Sequence, residues 1–246
     1  MGRPNNSRTA SRSTFQEQVL DELGHELCSG RYQPGEVIPS ETELCGRFAF
    51  SRIVIREAVK SLAAKGMLEV RRKVGTVVRD PAYWNLFDPD IISWRARTLG
   101  LNQALCRDLM ELRRIVEPAA ARLAAQRANT EQRATLRLAY LAMQHAIATE
   151  GDYVAADLVF HSTVLAACGN QFIRQMENAV SAILRTSFEI ISLKPGGPAF
   201  SLPLHETLCQ AIEAGDARGA ERAALRLIAQ AEQDLNERLS SEGTVH

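Results

Sequence analysis

From residue 103 to residue 239, apolar residues return every three to four positions, and each interruption is short and carries a turn or cap pair. Segments 103–127, 130–149, 151–168, 171–192, 201–214 and 217–239 all have this helical period. The breaks fall at Asn129-Thr130, Gly151-Asp152, Gly169-Asn170, the KPGGP run and Gly215-Asp216. No stretch in this region competes as a strand, so it must bury its apolar stripes helix against helix. Pro118, inside the first long segment, is expected to kink it.

The first eighty residues have a different grammar. FQEQVLDELGHELCSG places Phe15, Val19, Leu20, Leu23 and Leu27 on one helical stripe ending at Gly30, and YQPGEVIP then reads as an extended turn. Ser40 followed by Glu43 is a capping box that opens a second helix. FSRIVIREAVKSLAAKG follows almost at once, with Ile53, Val54, Ala58, Val59 and Leu62 as its apolar face and Gly66 as its stop. Two short helices in tandem, the second bearing arginines, read as a helix-turn-helix. In MLEVRRKVGTVVRD two β-prone runs, 68–72 and 76–78, bracket a turn, the pattern of a wing-like hairpin. The expected architecture is mainly α: an N-terminal winged helix-turn-helix over 14–80 and a C-terminal all-helical bundle over 101–240. A disordered basic arm (1–13), an irregular aromatic and proline-bearing linker (81–100) and a short tail (241–246) complete the expectation.

The net charge of zero conceals an asymmetry, because residues 1–79 hold 13 Lys+Arg against 9 Asp+Glu and the remainder holds 16 against 20. A basic domain ahead of an acidic one is the polarity expected when only the first meets a polyanion. Five scattered cysteines without a C-x-x-C pair exclude a disulfide framework and a Cys-based zinc module. No apolar run reaches the roughly 18 residues of a membrane span, and the polar, basic N-terminus lacks a signal-peptide core. The expected location is the cytoplasm, at the nucleoid, with no membrane partner.

Ser51 can cap the second helix of the tandem pair, and Arg52 and Arg56 lie one turn apart near its start. In a helix-turn-helix these positions meet base edges in the major groove, where arginine reads guanine O6 and N7. Lys60 and Lys65 lie further along, placed for the phosphate backbone. Arg71, Arg72 and Lys73 put three positive charges beside Gly75 at the hairpin tip, suited to a groove wall. A lone arginine pair would be read as a solvated helix face. A pair inside a capped tandem helix followed by a basic wing favours DNA.

DLVFH, at 157–161, sets an acid and an imidazole one turn apart on a stripe that is otherwise apolar, Val154, Val164, Leu165 and Cys168. Inside a bundle Asp157 and His161 must bond each other, hold a metal or meet a polar ligand. His205 is the third member. Two histidines and a carboxylate suit zinc, nickel, manganese or iron and leave coordination positions open. A hydrogen-bonded polar cluster without metal is the alternative, and the same set could serve a non-haem metalloenzyme, although no further acid, base or nucleophile accompanies it. Cys168 and Cys209 stand within helical reach of the histidines but suit small core positions better. Arg113 lies between Leu109 and Val116 on the inward side of its helix and could clamp a carboxylate bidentately; its alternative is a pair with Glu117 four residues on. Arg185 and Ser201 are further candidates for contacts to a ligand's hydroxyls.

PSETEL, FSRIVIREAVKSLAAKGMLEV and GTVV together resemble the GntR family of bacterial transcription regulators. ELRRIVEPAAARLAA, DLVFHSTVLAACGNQFI and HETLCQAIEAGD resemble the ligand-sensing FCD domain of its FadR subfamily. The resemblance implies a homodimer on a short double-stranded palindromic operator, with Ser51, Arg52, Arg56, Arg71 and Arg72 at the DNA. It also implies a metal held by an Asp and three His, of which Asp157, His161 and His205 match and Ile228 stands at the third histidine's place. Zinc is the expected ion. In the wing, Lys73 and Val74 stand where the family usually carries a glycine and a basic residue. The linker and wing look similar to the branch containing the galactonate-operon repressor, which implies a repressor released by a small carboxylate such as galactonate or a related aldonate. Another carboxylate or an acyl-CoA is the alternative effector.

Overall fold

The computed structural model describes residues 14–99, 103–177, 180–182, 184–185 and 197–242. Two compact units divide at Leu86 and Phe87. The expected basic arm, residues 186–196 and the last four residues of the tail lie outside the described residues.

In the first unit, α1 (Phe15–Cys28), α2 (Glu41–Phe48) and α3 (Arg52–Ala64) are followed by β1 (Leu68–Arg71) and β2 (Gly75–Val78). Thr14 with Glu17 and Ser40 with Glu43 close capping boxes on α1 and α2, so two of the four free amides at each helix start have partners. The tight turn between α2 and α3 is made by Ala49 at φ 57, a conformation that costs a non-glycine residue about 1–2 kcal/mol. Packing repays it. Val19, Leu23, Leu44, Ile55, Ala58, Leu62, Met67 and Val77 are all buried in this unit.

Two expectations are corrected here. The buried stripe of α3 is Ile55, Ala58, Val59 and Leu62, an i, i+3, i+4, i+7 set, and Ile53 lies 76% exposed on the outer face. YQPGEVIP is more than a turn: Val37 bridges Val77, Ile38 N–H donates to Thr76 O and Val78 N–H donates to Glu36 O. The segment therefore pairs with the free edge of β2 and screens it. In the hairpin Leu68 faces Val78 and Arg71 faces Gly75.

The second unit opens with α4 (Pro89–Leu99), where the sequence reads as irregular linker; Ile91, Ile92 and Trp94 are buried, so packing overrides the proline-bearing local pattern. Then come α5 (Gln103–Arg127), α6 (Thr130–Ala148), α7 (Tyr153–Ala167), the single turn α8 (Gln171–Gln175), α9 (Gly197–Glu213) and α10 (Ala217–Glu242). The periodic segments of the sequence correspond to these helices, except that 171–192 turns at Met176 and the helix read from 201 begins at Gly197. Helix α5 is continuous through Pro118. Helix α7 packs against α5, α6 and α8, and α9 against α5, α6 and α10. The core between them is built on Ala120, Ala124, Leu136, Met143, Phe160, Leu165, Leu208 and Ile212. Ala120 and Ala124 of α5 are fully buried in this core, and the polar side chains of α7 stand opposite those of α5 and α9.

Candidate nucleic-acid interface and metal centre

Ser51 caps α3 through its hydroxyl, which accepts from Val54 N–H. Arg52 and Arg56 both turn toward Glu41 at the start of α2. Arg56 donates from Nε and Nη2 to the two carboxylate oxygens at 3.1 and 3.0 Å, and Arg52 Nε lies 3.6 Å from Oε2 while its Nη2 donates to Thr42 Oγ1 at 3.0 Å. The hydrogen bond from Arg56, helped by the charges of both arginines, holds the Glu41 carboxyl below its usual range. All three side chains remain in water, with 63%, 52% and 32% of Arg52, Arg56 and Glu41 exposed. Glu41 was absent from the residues picked out in the sequence; the signal for it was its place as the first residue after a helix cap, facing the next helix.

At the wing, Arg71 folds back onto Glu69, with Nε and Nη2 at 3.0 and 2.9 Å from the carboxylate, while Arg72 and Lys73 are exposed at the tip. Val74 N–H donates to Arg71 O, and Lys73 takes φ 63 at the third position of that turn, the place for which glycine is favoured. Gly75 has a packing reason of its own. With φ +125, a Cβ there would stand 2.8 Å from Val37 Cγ1.

In the bundle, Asp157, His161 and His205 come together with ligand atoms within 4.8 Å of one another. Their exposures are 0%, 4% and 2%. His205 Nε2 lies 2.9 Å from Asp157 Oδ1 and His161 Nε2 lies 3.6 Å from Oδ2. The shorter contact lacks hydrogen-bond alignment: among the described residues, both Asp157 oxygens and His205 Nε2 are buried with no hydrogen-bond partner. The far side of each ring explains this. His205 Nδ1 is 2.9 Å from the carbonyl oxygen of Ser201, which can only accept, so Nδ1 carries the proton and Nε2 presents a lone pair. His161 Nδ1 is 3.0 Å from Glu117 Oε2, which fixes the same tautomer. Two imidazole lone pairs and a carboxylate thus face one another in a buried site, an arrangement that a divalent cation satisfies and hydrogen bonding does not. The residues present fit a metal. Phe160 stands edge-on to both rings, 5.9 and 5.2 Å between centroids, and limits their rotation.

Glu117 joins this cluster to Arg113, whose Nε donates to Oε1 at 2.6 Å. Burial alone would raise the Glu117 carboxyl, but the charge of Arg113 and the hydrogen bonds from His161 and Arg113 outweigh it and hold the group well below the carboxylate range. Burial likewise opposes the His161 imidazolium, and Glu117 and Asp157 reverse that by raising its basicity. The same carboxylates would strengthen His161 as a ligand. Tyr153, one turn before Asp157, shares a 2.8 Å hydrogen bond with the Ser201 hydroxyl. The spacing of four through Tyr153, Asp157 and His161 is legible in the sequence, although Tyr153 is not among the candidates drawn from it.

The other candidates separate. Arg185 is exposed, and Ser201 is half-buried beside His205. Ile228 is buried in an apolar cluster with Cys106, Met110 and Leu235. Cys168 sits at the end of α7 against Asn170, and burial pushes the Cys209 thiol up to about 11; neither joins the ligand group.

Residues 15–78 match the model of the bacterial regulatory proteins of the gntR family, and residues 108–230 match the FCD domain. The chain belongs to the GntR family of DNA-binding transcription regulators, with an FCD ligand domain. It is 34% identical over 228 residues to the galactonate operon transcriptional repressor of Escherichia coli strain K12, covering 90% of this chain and 96% of that protein. It is 30% identical over 225 residues to a probable D-xylose utilization operon transcriptional repressor of Paenarthrobacter nicotinovorans, with 88% and 87% covered. The solved structure of Lar, described as controlling the Listeria monocytogenes agr system, shares the fold at TM-score 0.65 and 16% identity, over 92% of this chain and 99% of that one. This is a family of regulators rather than of enzymes, and the buried cluster is a candidate site for a metal or small ligand. Among the described residues, no helix is long and apolar enough to cross a membrane.

Proposed function

We propose that this regulator is a homodimeric repressor of a palindromic operator, and that its FCD domain releases DNA on binding a sugar acid, an aldonate such as galactonate or a close relative. The observation that carries the sensor half is that, among the described residues, both Asp157 oxygens and His205 Nε2 are buried without a hydrogen-bond partner, with His161 Nε2 3.6 Å from Asp157 Oδ2. These three residues would hold a divalent ion, zinc first and nickel or manganese after it, and such an ion would supply positive charge and open positions for ligand oxygens. Ile228 adds no fourth protein ligand, so a bound ion would keep coordination positions open for a carboxylate and its neighbouring hydroxyl. Arg113, held in place by Glu117, supplies a second cation for the carboxylate, and Tyr153 and Ser201 supply hydroxyl partners. The 34% identity to a galactonate operon repressor supports the choice of effector class. A long acyl chain would find a polar, charged cluster where it needs an apolar tunnel.

On the DNA side, Ser51, Arg52 and Arg56 with Arg71, Arg72, Lys73 and Gly75 form the reading surface. Two copies would meet two half-sites, so their spacing decides affinity. The effector need only bind the DNA-incompetent arrangement more tightly.

Thermal denaturation of the full chain against a panel of sugar acids, with and without chelator, tests the sensor reading. An aldonate should raise the midpoint and release operator duplex, and chelator should abolish both effects. A panel without any stabilising sugar acid, or stabilisation indifferent to chelator, would overturn it.

A further inference from the structure

We propose that Ile53 reads a thymine in the operator by taking its C5-methyl group in the major groove, one or two base steps from a guanine taken by Arg52 or Arg56. The proposal rests on α3 being the helix that enters the groove.

The core of this unit uses Ile55, Ala58, Val59 and Leu62 of α3, which leaves 53, 56, 57 and 60 on the opposite face. Three of those four positions are charged and already engaged: Arg56 with Glu41, and Glu57 with Lys60 at 2.8 Å. Arg52, beside them, is engaged with Glu41 and Thr42. Ile53 is the exception, 76% exposed and apolar at the second residue of the helix. A lone exposed isoleucine elsewhere would mean nothing. Its place decides. It adds nothing to the core, and isoleucine is a poorer helix former than the lysine, glutamate or alanine that an exposed helix position favours. It has no donor for a phosphate, so a backbone contact cannot be its contribution. The apolar feature that a base edge offers in the major groove is the thymine methyl. A β-branched side chain is stiff about χ1, so Ile53 presents its methyls at a smaller ordering cost than a long flexible side chain would. Residues three apart on a helix rise about 4.5 Å, slightly more than one base-pair step, which sets the thymine near the guanine read by an arginine.

The test begins with duplexes selected from a randomised pool by the full-length wild-type protein. Each thymine of the selected sequence is then replaced by uracil, which removes only the methyl group. At one thymine per half-site the replacement should weaken wild-type binding about fourfold, the worth of one buried methyl-sized group. Ile53→Val should keep that penalty, and Ile53→Ser should reduce it below about twofold because it no longer buries the methyl. No sensitive thymine, or a penalty that persists in Ile53→Ser, overturns the proposal. Arg52→Ala is measured alongside. If it still separates the selected duplex from a scrambled one, the helix assignment falls and the proposal with it. If it loses that discrimination while Ile53→Ser retains the uracil penalty, only the methyl reading falls.

Discussion

Two glutamates each bridge two nitrogen-bearing side chains, and they do so in opposite surroundings. Glu41 lies between Arg52 and Arg56 in the helix-turn-helix, at distances of 3.0–3.6 Å with all three groups in water. Glu117 lies between Arg113 and His161 inside the bundle, where side-chain exposures are 6%, 3% and 5%. In water the pairing is weak and reversible, so these arginines are steadied yet stay exposed and free to change partners. In the bundle the Arg113 and Glu117 charges have no solvent to return to, so each depends on the other being present.

The largest expected effect that would break this comparison is on the sensor side. His161→Ala should take the purified protein from about one metal per chain to none and abolish the effector response, because ligand loss at a three-residue site leaves too few donors. Operator binding should survive. Metal content by elemental analysis and a duplex-binding assay with effector check it, and a variant that keeps both metal and response moves the site elsewhere. Glu117→Ala should come next, stranding Arg113 in the core at a cost of about 3–5 kcal/mol. The midpoint of thermal unfolding should fall by roughly 10 °C, with part recovered when Arg113→Met is added.

On the reading head the effects should appear in binding and not in stability. Arg52→Ala should reduce the preference for operator over random duplex by about tenfold or more while the melting curve stays where it was. Equal discrimination in wild type and variant would remove Arg52 from the readers. The smallest effect belongs to Glu41→Gln, which frees both arginines from a carboxylate. Affinity for random duplex should rise about two- to threefold with a steeper salt dependence, and the melting midpoint should move by less than about 2 °C. A large drop in midpoint would show that the two glutamates are not different in kind.

Particular residues show how far local pattern reaches. Gln103–Arg127 and Thr130–Ala148 were legible to within a residue because each carries a long amphipathic period and its own cap or turn. Ile53 was assigned to the wrong face because Ile53, Val54 and Ile55 are apolar in succession, and three adjacent residues cannot say which of them faces α1. The segment from Pro89 gave no helical signal strong enough to outweigh its prolines and aspartates, yet Trp94 and Ile91 bury there. Helix α7 is apolar nearly all round, so its period could place Asp157 and His161 together but could not say that Glu117 would come to meet them.

By itself the sequence determined what is local: the caps, the helix periods, the hairpin, the basic head and acidic bundle, and the pairing of Asp157 with His161 one turn apart. Only the tertiary structure decided what depends on neighbours from distant segments. It brought His205 of α9 to Asp157 of α7, set Glu117 of α5 behind His161, turned the His205 proton toward Ser201, and left Ile53 in water. The physical reason is that burial and tautomer are properties of an environment assembled from several helices, and no single helix carries them in its own pattern.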